Sequence, residues 1–229
     1  MLNALRDDVC KANRDLMNAG LVTLTWGNVS GFDRRHGLMV IKPSGVPYDL
    51  LEPEQMVVVN LEGEVIEGDL NPSSDTPTHL MLYRHFGQIG GITHTHSQYA
   101  TMFAQARKAI PCLGTTHADH FYGPVPVTRP LTEAEVAENY EMHTGRVILE
   151  CFNQRDPKAV PAVLAAGHGP FTWGNNADDS VRNAIALEAV AEMVLGTWSL
   201  DRNAMELEPF LLEKHYQRKH GPDATYGQK

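Results

Sequence analysis

Cysteine is scarce in this 229-residue sequence: Cys10, Cys112 and Cys151 are odd in number, far apart and without a C-x-x-C spacing. That argues against a disulfide framework or a thiolate-held structural metal, and makes reduced thiols in the cytoplasm the expectation. Long apolar runs are missing too, since none approaches the roughly 20 residues that a membrane-spanning helix requires. The first apolar stretch, Leu2, Leu5, Val9, Ala12 and Leu16, has helical spacing, but Arg6, Asp7, Asp8 and Lys11 interrupt it, so it is not a signal-peptide core. Nor is there a surplus of cations. With 19 Lys and Arg against 28 Asp and Glu, the formal charge of -9 repels nucleic acid and anionic membranes on average, leaving small anions bound by a few local donors. No repeat, low-complexity tract, linker, P-loop or dinucleotide fingerprint occurs, so nucleotides are not implied.

What is present suffices for a core. The chain is 42% hydrophobic, so it needs no metal staple to fold, and a metal would serve chemistry instead. After the N-terminal helix, which Gly20 ends, "LVTLTWGNVSGFD" and "LMVIKP" read as strands and "QMVVVNLEGEVIEG" as a hairpin turning at Gly63. "TPTHLMLYRHF" switches to helical period, with Thr76 as cap and proline at the first position, and a second helix follows Ser97. "TEAEVAENYEMHTG" opens on a capping box, Thr132 to Glu135, and closes on Gly145. "RVILECF" and "AVPAVLAAGHG" read as strands, the second kinked by proline; helices are expected from about Asp178 to Trp198 and over "FLLEKHYQRKHG". The expected fold is a single α/β domain over residues 1–229, three-layered, with a mixed or largely antiparallel sheet flanked by helices.

Within this frame "GGITHTHSQY" ends an apolar strand on two histidines. Residues i and i+2 of a strand share a face about 6 to 7 Å apart, so His94 and His96 fit one ion, or equally two polar histidines at a sheet edge. His168, between glycines in "AAGHGPFTWG", is a third ligand or merely a turn residue. Asp75, where a turn enters a helix, is a fourth ligand, a base or a helix cap. Three imidazoles and a carboxylate suit Zn2+, while ligand type alone leaves Mn2+, Co2+ and iron open. The turns "TWGNVS", "KPSGV" and "NPSSD" can each offer backbone and hydroxyl donors to a phosphate. "GTTHADHFYG" concentrates His117, Asp119, His120 and Tyr122, as a site or as a packed strand; His79, His85, His117, His120 and His143 read individually as structural or second-layer residues.

"TWGNVSG", "IKPSGVPY", "SSDTPTH", "THTHSQYAT", "GTTHADHFYG", "HGPFTWG", "EKHYQRKHG" and "YGQ" recur in the order seen in the class II aldolase family, and the chain resembles its L-ribulose-5-phosphate 4-epimerase branch over essentially its full length. The resemblance implies the class II aldolase fold and a divalent ion, usually zinc, on His94, His96 and His168, with Asp75 at the metal where related aldolases carry glutamate. It implies that Gly27, Asn28, Ser44, Gly45, Ser73 and Ser74 hold the phosphate of a sugar phosphate, and that Asp119 and Tyr226 exchange protons. The site would lie between subunits of a homotetramer, with the C-terminal tail, including Tyr226, against a neighbour. His215 and Arg218 would approach a neighbouring phosphate or form a solvated helix face. An aldolase that releases its two fragments and an adducin-like module without catalysis are the competing functions.

Overall fold

The computed structural model describes residues 2–222 together with Ala224 and Thr225. Seven strands form one sheet in the order β4-β3-β2-β1-β5-β7-β6: β1 (Asn28–Asp33), β2 (Leu38–Ile41), β3 (Val57–Asn60), β4 (Val65–Glu67), β5 (Gly91–His94), β6 (Ala162–Leu164) and β7 (Pro170–Gly174). Every neighbouring pair is antiparallel, as expected. Strand alternation supplies the two inner faces. Met39, Ile41, Val57 and Val59 point to the side covered by α2 (Thr76–His85) and α5 (Glu133–Cys151), whereas Val40 and Val58 point to α1 (Asn3–Asn18) and the start of α6 (Ala177–Leu200). A third apolar cluster joins α6 to α3 (Gln98–Ala106) and β6. The short α4 (Thr115–Ala118) rests against α7 (Pro209–His220). Among the described residues no helix is long and apolar enough to cross a membrane.

Several local expectations are met, and the departures have physical causes. The Thr132–Glu135 capping box forms in both directions. "RVILECF" is not a strand but the second half of α5, because Gly145 does not end that helix. A Cβ at Gly145 would stand 2.8 Å from Met81 Cβ, so the glycine is there to let α5 approach α2. The stretch 21–27 before β1 is irregular rather than extended, with Leu24 at φ 54° and Gly27 at φ 84°. "GTTHADHF" folds as α4 and its cap rather than a strand. Ser97 precedes α3 without capping it; the Glu188 carboxylate accepts from the Tyr99 and Ala100 backbone N–H groups instead, at 2.7 and 2.9 Å.

Buried histidines give the fold a pH dependence. His79, whose Nδ1 meets Ser30 Oγ at 2.7 Å, is pushed down to about 3 by burial; His117 is pushed down to about 4, chiefly by burial. Both stay neutral when folded but gain a proton near pH 6.5 when unfolded. Between pH 6.5 and 4 the unfolded chain therefore binds more protons, and stability falls as pH falls, by up to about 1.4 kcal/mol per pH unit for each histidine. Urea midpoints measured at pH 7.5 and 5.0 should drop clearly at the lower pH, with His117→Gln reducing the drop; equal midpoints would contradict this assignment.

A candidate metal and phosphate site

The strand pairing builds one end of the site. β5 lies between β1 and β7, with His94 opposite Asn28 on one side and Phe171 on the other. The chain leaves β5 at His94, so His96 sits just beyond the strand, and the turn before β7 carries His168 to the same place. The ligand nitrogens of His94, His96 and His168 lie within 4.8 Å of one another. Gly169 permits this closeness, since a Cβ there would stand 2.6 Å from the Thr95 carbonyl and 3.3 Å from the His96 ring.

The donor set fits a divalent ion. Pro170 O can only accept, so His94 Nδ1, 2.9 Å away, carries the proton and Nε2 keeps its lone pair. That Nε2 is 3.1 Å from His96 Nε2; two nitrogens bound tetrahedrally at about 2.0 to 2.1 Å from one ion would stand roughly 3.3 Å apart. Burial, then the neighbouring His96, holds His94 far below the ordinary imidazole range. Burial and then His94 do the same to His168, and burial lowers His96 against the opposing Asp75 carboxylate. Neutral rings are the form that ligates.

Asp75 occupies the N-cap position of α2 but makes no side-chain capping bond. Its Oδ2 accepts from Asn28 Nδ2 at 2.7 Å and lies 4.0 Å from His94 Nε2. The carboxylate is thus turned to the histidines rather than spent on the helix. Asn28 Nδ2 also reaches Ser73 Oγ at 3.0 Å.

A cavity of about 340 Å³ joins these groups to Gly27, Ser44, Gly45, Ser73 and Ser74. The two serine turns pair with each other: Ser44 N–H donates to Asn71 O at 2.9 Å and Ser73 N–H to Lys42 O at 3.0 Å. Gly45, at φ 71°, takes the left-handed conformation between them. Lys42, which the sequence reading did not single out, lines the same cavity and is 1% exposed. Its Nζ donates to Pro43 O at 3.2 Å and lies 4.8 Å from the Tyr48 ring centre, and burial pushes it down to about 8. A buried ammonium beside two hydroxyl-bearing turns is suited to a phosphate. Tyr140 and Glu141 also line the cavity and were not anticipated.

One anticipated residue stands elsewhere. Asp119 does not line this cavity; it follows α4 and pairs with α7 through Arg218 (2.6 Å), His215 (3.1 Å) and Lys219 (3.5 Å). Burial alone would raise its carboxyl, but the Arg218 and His215 hydrogen bonds and the nearby cations outweigh that and lower it. His215 and Arg218 are therefore engaged with Asp119 rather than presented as a solvated face. Tyr226 lies outside the described residues.

A sheet-borne histidine cluster opening on a polar cavity is a candidate metal and anion site, and the sequence comparison narrows it. Residues 7–195 match the family described as "Class II Aldolase and Adducin N-terminal domain", and the chain belongs to that family. Among solved structures it is similar to an L-fuculose 1-phosphate aldolase, 26% identical over 94% of this chain and 95% of that one, with a TM-score of 0.75. YgbL of Klebsiella pneumoniae, titled a putative aldolase/epimerase/decarboxylase, is 24% identical over 93% and 99% of the two chains, also with a TM-score of 0.75. An L-fuculose 1-phosphate aldolase from Glaciozyma antarctica PI12 shares 19% identity over 97% and 84%, with a TM-score of 0.78. The fold is accordingly the class II aldolase fold.

Substitutions should separate the two halves of the site. His94→Ala should lower bound Zn2+ after dialysis to a small fraction of one ion per chain, measured by elemental analysis, with inorganic phosphate binding retained. Lys42→Met should do the reverse, weakening phosphate by roughly tenfold or more, the order of a lost charge-assisted bond. Metal retention by His94→Ala would remove the first assignment, and unchanged phosphate affinity in Lys42→Met the second.

Proposed function

We propose that the protein is an L-ribulose-5-phosphate 4-epimerase, interconverting L-ribulose 5-phosphate and D-xylulose 5-phosphate by breaking and remaking the C3–C4 bond. The observation that carries this reading is that three neutral imidazoles and the short carboxylate of Asp75 border the same cavity as the phosphate cradle. His94, His96 and His168, with Asp75 beside them, would hold the ion, with Zn2+ matching the donor set. When bound, it supplies Lewis-acid stabilisation of the negative charge left by C–C cleavage.

The chemistry explains why two proton carriers are needed. C4 is one carbon removed from the position that the C2 ketone acidifies, so direct removal of its hydrogen is disfavoured. Instead, a base takes the C4 hydroxyl proton, the C3–C4 electron pair stays with C3, and C4 becomes the aldehyde of glycolaldehyde phosphate. Lys42 and the Ser44–Gly45 and Ser73–Ser74 turns retain that fragment by its phosphate while the aldehyde turns its other face. C3 then attacks, and an acid returns a proton to the new C4 oxygen. Asp119 and Tyr226 are the two carriers. The position of Asp119 outside its own chain's cavity is what a site shared between subunits requires, and supports a homotetramer in which Asp119 and the tail serve a neighbour. Large apolar side chains left exposed, among them Leu200 (91%), Met205 (86%) and Phe210 (70%), agree with an assembly. Asp75 favours epimerisation over release: at 4.0 Å from His94 Nε2 it is held back by the shorter side chain.

The similarity to a fuculose-phosphate aldolase favours one competing reading, a sugar-phosphate aldolase that releases both fragments. The Zn2+-loaded protein supplied with L-ribulose 5-phosphate should produce D-xylulose 5-phosphate with little free glycolaldehyde phosphate in coupled assays. Free aldehyde formed as fast as xylulose phosphate makes it an aldolase. Asp119→Asn should keep Zn2+ and a folded far-UV circular dichroism spectrum, with a lower melting temperature from the weakened Arg218 and His215 contacts, while losing about 10²- to 10⁴-fold in turnover, the usual worth of a positioned acid or base. Unchanged turnover removes Asp119 from the mechanism.

A further inference from the structure

The α5 helix is broken where it meets the cavity. Asn139 has φ -167° and ψ 96° inside it, and its Oδ1 accepts from the Met142 backbone N–H at 3.0 Å, so Asn139 caps a fresh helix start. Tyr140 and Glu141 are the first residues of that second segment, which is why both reach the cavity wall. Tyr140 Oη is 3.2 Å from His168 Nδ1. Behind this contact lies a second cavity of about 240 Å³, lined by Arg107, Thr128 and Arg129 among others. Among the described residues only Tyr140 and His168 border both, so their hydrogen bond forms part of the partition between them.

We propose that Tyr140 is a positioning residue with two contacts: its oxygen accepts from His168 Nδ1–H, and its own proton is directed to an oxygen of the sugar phosphate in the cavity. The direction of the first bond follows from the use of His168. If Nε2 is to keep its lone pair for an ion, Nδ1 must carry the proton, and the phenol oxygen is then the acceptor. That leaves the phenolic hydrogen free of His168, on a side chain that shares the cavity wall with Asp75 and Glu141. Thr144 Oγ1, one turn along, donates to the Tyr140 backbone carbonyl at 2.9 Å. A hydroxyl-rich substrate in the cavity offers the phenol an acceptor, and the class of ligand selected is a polyhydroxy ketone phosphate rather than a deoxygenated analogue.

The inference rests on the epimerase reading for the identity of the sugar, not for the His168 contact. Tyr140→Phe keeps the ring and removes only the hydroxyl, and its melting temperature monitors folding. In metal-stripped protein titrated with Zn2+ against a competing chelator, the variant should bind about 10- to 100-fold more weakly, the usual cost of losing such an outer partner. At saturating Zn2+, kcat/KM for L-ribulose 5-phosphate should still be at least tenfold lower, while affinity for inorganic phosphate is unchanged. Zn2+ affinity within about threefold of the parent overturns the first contact, and full recovery of kcat/KM at saturating Zn2+ overturns the second. A parent protein that binds Zn2+ but leaves L-ribulose 5-phosphate unconverted counts against the epimerase reading alone, and the Zn2+ comparison still decides for Tyr140.

Discussion

The Pro170 carbonyl accepts from the Thr95 backbone N–H at 3.3 Å and from His94 Nδ1 at 2.9 Å, and the candidate site depends on this junction. It fixes the tautomer of one ring, holds the segment that carries His96 against the start of β7, and lies two residues from His168. Without antiparallel pairing of β5 with β7, those three residues, separated by as many as 74 positions in sequence, would have no reason to meet. Proline at 170 gives up a ladder donor and retains the acceptor, which is the group the junction needs.

Around that junction the polar groups are arranged by what they leave unused. Asp75 sits at a helix cap but makes no capping bond; Asn28 turns both amide hydrogens toward Ser73 and Asp75. Lys42 is buried beside a tyrosine ring, not beside a carboxylate among the described residues, so its charge is kept for something brought in from solvent. The net charge of -9 does not oppose the proposed anionic substrate, because the local field rather than the net charge governs a cavity. The exposed ring of Trp26 and the turn at Gly27 close its near side, where a Cβ on Gly27 would stand 2.7 Å from the His94 carbonyl.

Much of this was legible in the chain because the relevant signals are periodic or local. The His94-x-His96 spacing and the Thr132–Glu135 box follow from a fixed offset, and the strands at Leu38–Ile41 and Val57–Asn60 from short runs of strand-favouring aliphatic residues. The second half of α5 was not legible, since Val147 and Ile148 favour strands and Gly145 imitates a helix stop; only the contact with Met81 reveals why that glycine is there. Lys42, Tyr140 and Glu141 were missed for a different reason. Each is an ordinary residue in its own segment, and its role comes from a cavity assembled by distant strands and by the break at Asn139. Asp119 was visible as part of a dense polar stretch, but its partners, Arg218 and His215, lie about a hundred residues further on.

In the proposed reaction a carbon–carbon bond is broken and the hydrogen on C4 is left untouched. The most direct measurement is conversion of L-ribulose 5-phosphate by the Zn2+-loaded protein in heavy water, followed by isotopic analysis of the D-xylulose 5-phosphate formed. Cleavage between C3 and C4 predicts a product with no deuterium at C4. Deuterium at that carbon would mean direct proton exchange there and would contradict C3–C4 cleavage.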